Sequence, residues 1–239
     1  MRYLGGKSRH ARAIADVINP VRAGRVLWDP FCGGLASAAA FGGALICSDV
    51  HAGLIALYRA VQADPGMLDE LETLEVTPAL RAAAVRADAS DPIATLIRLG
   101  TSFGGDLAKG GPVFEQWHER NQCTYSYFAQ TVRSLRRQMR RLADAKFDAF
   151  DFLCVPAFHP GAPTVLYLDP PYPDASGYGS AFDYVSFTVR ARAWARVTDV
   201  WVSGYSWPLA AGELVWEAPV GGKRGLPTAG LERLWKVLP

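Results

Sequence analysis

No apolar run in this 239-residue chain approaches the roughly 18 residues that cross a bilayer, and no signal-peptide core stands at its start. Cysteine is scarce: four, at 32, 47, 123 and 154, with no CxxC pair and no histidine at zinc-ligand spacing. His10, His51, His118 and His159 are equally scattered. No metal is expected, and the cysteines read as reduced thiols of a soluble intracellular protein. Net charge is only +2, so nothing global calls for a polyanionic partner, and any such surface has to be local. The dinucleotide fingerprint GxGxxG is missing from the first strand-to-helix turn. "LGGKS" at 4–8 mimics the tail of a phosphate-binding loop, but its upstream glycine would fall on Met1 and no strand precedes it. These gaps exclude a helical membrane protein, a disulfide scaffold, a zinc module and a P-loop NTPase.

What is present is ordinary globular composition, 50% hydrophobic and 20% charged, enough to bury a full core. A helix over 10–18, a strand at 25–28, a small-residue helix, a strand at 44–47 and a helix over 52–62 alternate in the βα manner. That alternation predicts a parallel, doubly wound sheet. From 64 to 163 the pattern turns mostly helical, with a glycine-rich segment at 103–112 and a long helix predicted over 126–145. The α/β pattern resumes at 164, with a helix over 188–197 and a strand over 199–206. The expected organisation is an α/β domain of residues 1–63 and 164–239, interrupted by a helical insertion, 64–163.

Three predicted strands end in turns that carry chemistry: Asp29-Pro30-Phe31-Cys32-Gly33-Gly34, Ser48-Asp49 and Asp169-Pro170-Pro171-Tyr172. Ligands of open α/β sheets bind beyond the carboxyl ends of strands, so the three turns are expected to face one crevice. Asp49 falls where nucleotide-binding folds place a carboxylate for ribose hydroxyls, although Asp also suits a helix N-cap. The glycine loop is shorter than a dinucleotide-binding one and carries an acid, which favours a nucleoside without a pyrophosphate. The last turn suits work on adenine. Its exocyclic amine is a weak nucleophile because the lone pair is delocalised into the ring. An enzyme that alkylates it has to accept hydrogen bonds from the N–H groups, and Asp169 beside the rigid carbonyl of Pro170 offers two acceptors. Tyr172 offers a ring on which an extruded base can stack.

At these residues the sequence resembles the Dam-like adenine-N6 DNA methyltransferases, which use S-adenosylmethionine. "RYLGGKSR", "DPFCGG", "SDVHAGLIALYRAV", "DPPY" and the closing "DVWVSGYS" and "LERLWKVL" stand in that family's order. The resemblance implies a Rossmann-like methyltransferase sheet with a mostly helical target-recognition insertion. It implies cofactor contacts from Tyr3, Lys7, Phe31, Gly33, Asp49 and Asp169, with Asp169, Pro170 and Tyr172 at the target amine. Leu35 departs from the pattern, standing where many members have a further glycine. Double-stranded DNA is the expected partner. The predicted long helix carries Phe128, Val132, Leu135, Met139 and Leu142 on a core-facing stripe. Arg133, Arg136, Arg137, Arg140 and Arg141 project from its other faces, where they suit phosphates or a solvated surface. Lys109 sits near the tip of the glycine-rich segment, in reach of DNA. The competing readings are a methyltransferase of RNA adenine or of cytosine-N4, and a DNA-binding protein that keeps the fold without methylating. The first motif begins at Tyr3, so no regulatory domain is expected ahead of it.

Overall fold

The computed structural model describes residues 1, 3, 6–107, 110–118, 123–154, 164–172, 182–205, 212–220 and 230–239. Helix α1 (Ala11–Arg22) leads into β1 (Val26–Asp29), α2 (Ala36–Phe41), β2 (Leu45–Asp49) and α3 (Ala52–Ala63). Then come α4 (Met67–Thr73), α5 (Pro78–Arg86), α6 (Pro92–Gly100), a hairpin of β3 (Glu115–His118) and β4 (Cys123–Ser126), and α7 (Tyr127–Met139). The remaining elements are β5 (Lys146–Ala149), β6 (Thr164–Leu168), α8 (Tyr184–Ala195), β7 (Val200–Gly204), β8 (Gly212–Pro219) and β9 (Leu231–Val237).

Seven strands form one sheet in the order β5-β2-β1-β6-β7-β9-β8. The first five run parallel, and β9 and β8 close the edge antiparallel. This is the mixed α/β, Rossmann-like architecture expected from the alternating pattern. β6 is buried along its whole length, as its unbroken apolar run requires of a central parallel strand. Its side chains alternate between two cores. Val165 and Tyr167 pack with Ile14, Leu54, Phe128 and Val132 on one face, while Leu166 and Leu168 pack with Phe187 and Trp194 of α8 on the other. Each large apolar side chain sealed in this way contributes about 1.5–3 kcal/mol.

One expectation about the middle of the chain is corrected. The helix predicted over 126–145 ends at Met139, and the chain turns to form β5, which pairs in parallel with β2. Leu142 and Ala145 are buried beyond the helix end and so carry an apparent helical spacing into the turn. The block 64–163 is therefore not uniformly helical: it holds the β3–β4 hairpin and supplies one strand to the main sheet. The helix at 188–197 begins earlier, at Tyr184, capped by Asp183, whose carboxylate accepts from the amides of Val185 and Ser186.

The chain runs from β1 outward to β2 and β5, then returns beside β1 as β6 and continues to β7. Strand order thus reverses between β1 and β6, where the sheet opens a crevice at its carboxyl edge. Helices α3, α5, α6 and α7 pack together beside it, and Gly53 of α3 lets α6 approach closely. A Cβ on Gly53 would lie 2.3 Å from Thr95 Oγ1 and 2.4 Å from the carbonyl oxygen of Ala89. Gly53→Ala should therefore cost roughly 1–3 kcal/mol through overpacking. Urea unfolding measures this, and an unchanged midpoint would mean that the helical layer shifts freely against α3.

Candidate active site

The turn after β1 is shaped by a close approach. Tyr3 lies against Gly33 and Gly34, where added Cβ atoms would come within 2.8 Å of its ring and 2.5 Å of its own Cβ. Gly33 has φ +40, in the left-handed region that glycine tolerates. Leu35 also adopts a left-handed backbone, φ 61 and ψ 14, a conformation costing an L-residue roughly 1–2 kcal/mol. Its side chain is fully buried, and that burial offsets the strain. The departure at this position thus keeps a glycine-like backbone and adds a core leucine. The Tyr58 hydroxyl donates to the Gly33 carbonyl, and Gln138 of α7 donates to that of Gly34 at 2.8 Å.

Asp49 at the end of β2 does not cap α3. That role falls to His51, whose Nδ1 accepts from the Leu54 amide. The Asp49 carboxylate instead accepts from the amides of Gly33 and His51, both at 2.9 Å, and so ties the first two turns together. Burial raises its pKa, although the two amides oppose the shift.

Asp169, just past β6, has three polar neighbours on one oxygen, of which Lys7 and Ser203 donate to it. Its Oδ1 lies 2.8 Å from Lys7 Nζ, 2.9 Å from Ser203 Oγ and 3.1 Å from the Tyr172 hydroxyl. Because Ser203 gives its one proton to Asp169, its contact of 2.9 Å with Tyr167 places the Tyr167 hydroxyl as donor. The Tyr172 hydroxyl is closer still to Glu232 Oε1, at 2.7 Å, and Lys7 Nζ lies 3.6 Å from the same oxygen. The Lys7 ammonium also stands 4.3 Å above the centre of the Tyr172 ring, a cation–π contact. Burial opposes the charge on Lys7, but the carboxylates of Asp169 and Glu232 outweigh it and raise its pKa. Burial raises that of Glu232, and the charge of Asp169 adds to the shift.

The three turns do converge. Tyr3, Lys7, Phe31, Gly33, Asp49 and Asp169 all line one cavity of about 520 Å³. Tyr172 joins them through Asp169 and Lys7, and Pro170 is buried beside it. Some lining residues were not singled out from the sequence. The carboxyl end of β5 contributes Phe150 to Leu153, and Gly105 to Leu107 bring part of the glycine-rich segment to the same cavity. Phe31, Phe152 and Phe182 form an aromatic wall with centroids 5.1–5.9 Å apart. Glu232 and Ser203 lie inside closing motifs that were recognised, but only the strand pairing of β9 and β7 carries them to Asp169. For Glu232 the available signal was an acid in an otherwise apolar run. Asp29 is buried at the cavity with Oδ1 accepting from Phe31 N and, among the described residues, Oδ2 without a partner.

The basic residues divide. Arg136, expected to face phosphate, is instead bound to Glu72 and, at 2.9 Å, to Asp69, so it ties α7 to α4. Arg133 lies 3.6 Å from Glu72. Arg137 and Arg140 are exposed. Arg137 lines a second cavity, of about 740 Å³, between α1, α2 and α7 with Arg12, Arg133 and Arg141, and among the described residues its lining holds no acidic side chain. Lys109 lies outside the described residues. Among those described, no group of three or more His, Cys, Asp or Glu could hold a metal ion, and no helix is long and apolar enough to cross a membrane.

A parallel sheet with an antiparallel edge, and a cavity at its switch point walled by a glycine turn and acidic strand ends, define a Rossmann-like methyltransferase fold. Residues 3–84 match the family model of the D12 class N6 adenine-specific DNA methyltransferases. The match takes in about a third of the 239 residues and bears out the resemblance to Dam-like enzymes. It supports DNA adenine methylation as the general activity, and methyltransferases of this family normally use S-adenosylmethionine. A comparison with curated proteins found no match.

Burial, reinforced by the charge of Asp169, pushes the Asp29 pKa well above the usual carboxylate range. A raised folded-state pKa contributes stability at low pH that is lost as pH rises through it. Asp29→Asn keeps an acceptor for Phe31 N and has no proton to lose. The variant should match or exceed wild-type stability at pH 8, with a smaller advantage at pH 5, in urea unfolding at both values. A variant less stable than wild type at pH 8 would mean that Asp29 is held as a carboxylate.

Proposed function

We propose that this protein transfers a methyl group from S-adenosylmethionine to N6 of an adenine in double-stranded DNA. The observation that carries the reading is the placement of Asp169 at the switch point, with one oxygen held by Lys7 and Ser203, in a cavity also lined by the two other acidic strand ends. The residues there fit the cofactor. The unpartnered Asp29 oxygen suits an amino-acid ammonium, Asp49 suits ribose hydroxyls, and the Phe31, Phe152 and Phe182 rings suit a purine. Tyr3, Lys7 and Gly33 complete the wall. When bound, S-adenosylmethionine supplies an electrophilic methyl: the N6–C bond forms as the C–S bond breaks, sulfur keeps the electron pair and N6 gives up a proton.

The chain's own residues position and polarise. Asp169 and the Pro170 carbonyl accept hydrogen bonds from the amine and draw its lone pair out of the ring, and Tyr172 holds the extruded base. The hydroxyls of Ser203 and Tyr167 keep the Asp169 carboxylate aimed. We propose further that the insertion, 64–163, is the recognition module, with Lys109 and the arginines of α7 on its DNA side. Arg137 and Arg140 serve phosphates in this reading, whereas Arg136, and Arg133 in part, serve the packing of α7 on α4.

Two experiments test it. DNA from a methylation-free bacterial host expressing the chain is sequenced with modified-base detection. N6-methyladenine at a short recurrent motif is expected from wild type, and Asp169→Ala should abolish it with the fold retained, a loss of at least about a thousandfold in rate. An active Asp169→Ala variant, or wild-type DNA without the modified base, overturns the proposal. For DNA contact, Arg137→Gln should weaken binding to unrelated duplexes alike and lower the salt slope by about one. Fluorescence anisotropy between 50 and 200 mM salt measures both, and an unchanged slope would remove Arg137 from the interface.

A further inference from the structure

Lys7 stands where the target base has to go. Its ammonium is 2.8 Å from the Asp169 oxygen that is to accept from adenine N6, and 4.3 Å above the Tyr172 ring on which the base is to stack. At that height it fills the layer of a stacked ring. Its charge also competes for the carboxylate, since an ammonium hydrogen bond is stronger than one from a neutral amine. The Oδ1 atom of Asp169, on which Lys7 and Ser203 converge, therefore becomes available to adenine only as Lys7 withdraws, and a buried lysine (6% exposed) cannot withdraw without a second counter-ion.

Glu232 is that counter-ion. It is 3% exposed, fixed on the inner strand β9, and its Oε1 lies 3.6 Å from Lys7 Nζ. The same oxygen accepts from the Tyr172 hydroxyl at 2.7 Å, so it also sets the tilt of the stacking ring. Lys7 is anchored at its backbone, where its carbonyl accepts from the amides of His10 and Ala11, while its four-carbon stem leaves the ammonium movable. We infer that Glu232 is a positioning residue for methyl transfer: it takes up the Lys7 ammonium as the adenine amine arrives at Asp169, and it holds Tyr172 for the base. The other titratable groups facing this point are Tyr172 and Tyr205, whose rings pack edge-on at 4.5 Å, and Asp29 in the same cavity. Neither tyrosine carries a charge that could replace the Glu232 carboxylate, and among the described residues Lys7 forms ion pairs with Asp169 and Glu232 but none with Asp29.

The inference rests on the adenine-N6 reading above, and the test separates the two. Wild type, Glu232→Gln and Glu232→Asp are compared by single-turnover methylation of methylation-free plasmid DNA with labelled S-adenosylmethionine. Calorimetry gives the affinity for the cofactor, and thermal unfolding the fold. Glu232→Gln leaves Lys7 with Asp169 alone, so the transfer rate should fall about tenfold or more while cofactor affinity stays within about twofold of wild type. Glu232→Asp keeps the charge one methylene further away, and its rate should lie between the two. It serves alone if the amide variant does not fold, with a loss of a few-fold expected. A wild-type rate in Glu232→Gln, or in Glu232→Asp where that variant stands alone, overturns the inference while leaving adenine methylation intact. So does a loss that tracks cofactor affinity, which would place Glu232 in the wall of the cofactor cavity. Absence of N6-methyladenine from the wild-type reaction overturns the underlying reading and the inference with it.

Discussion

A carboxylate set largely inside the protein needs hydrogen-bond donors from the residues around it. Asp169 meets that need with a lysine from the segment before α1 and a serine from β7, both on one oxygen, while the Tyr172 hydroxyl of its own turn lies 3.1 Å from the same atom. Each donor comes from a different stretch of chain, so their convergence depends on β1, β6 and β7 lying side by side and on the N-terminal segment crossing the crevice. The geometry of the sheet and the electrostatics of the site are therefore one problem. Moving any of these strands by a residue would turn its inward side chains to the other face and leave Asp169 without part of its shell.

The same reasoning accounts for the loop after β1. Asp49 spends both oxygens on backbone amides, one from its own turn and one from the glycine turn. Tyr58, Gln138 and the ring of Tyr3 hold that turn from three further sides. A loop fixed by so many partners tolerates a left-handed leucine, because the surrounding contacts over-determine its path. Gln138 belongs to α7, so the helix that carries the arginines is coupled directly to the wall of the cavity.

Much of this was legible in the residues. An unbroken apolar strand ending in Asp169-Pro170-Pro171-Tyr172, and a second ending in Asp29 with glycines beyond, announce a parallel sheet with chemistry at its carboxyl edge. Strand ends are visible in sequence because burial and turn chemistry are local properties. The stripe of α7 was equally legible as a buried face. The end of that helix was not, since Leu142 and Ala145 repeat its spacing while packing from a turn. β5 escaped notice because an edge strand of four residues, with one fully buried side chain, leaves almost no periodic signal.

What the sequence determined by itself is the set of strand-end acids, the aromatic and glycines that accompany them, and the order in which they occur. Those follow from local demands of turn, helix and buried strand. Tertiary structure decided which charges meet. Lys7 and Glu232 are separated by almost the whole chain, and nothing near either residue specifies the other. They become partners of Asp169 because the first segment passes over the switch point and the last strand inserts antiparallel beside β7. Pairing of that kind is a consequence of strand order, which no local pattern encodes. For the same reason Arg136, alike in sequence to the arginines around it, proved to be a tie to α4: Asp69 and Glu72 face α7 only after the helices have packed.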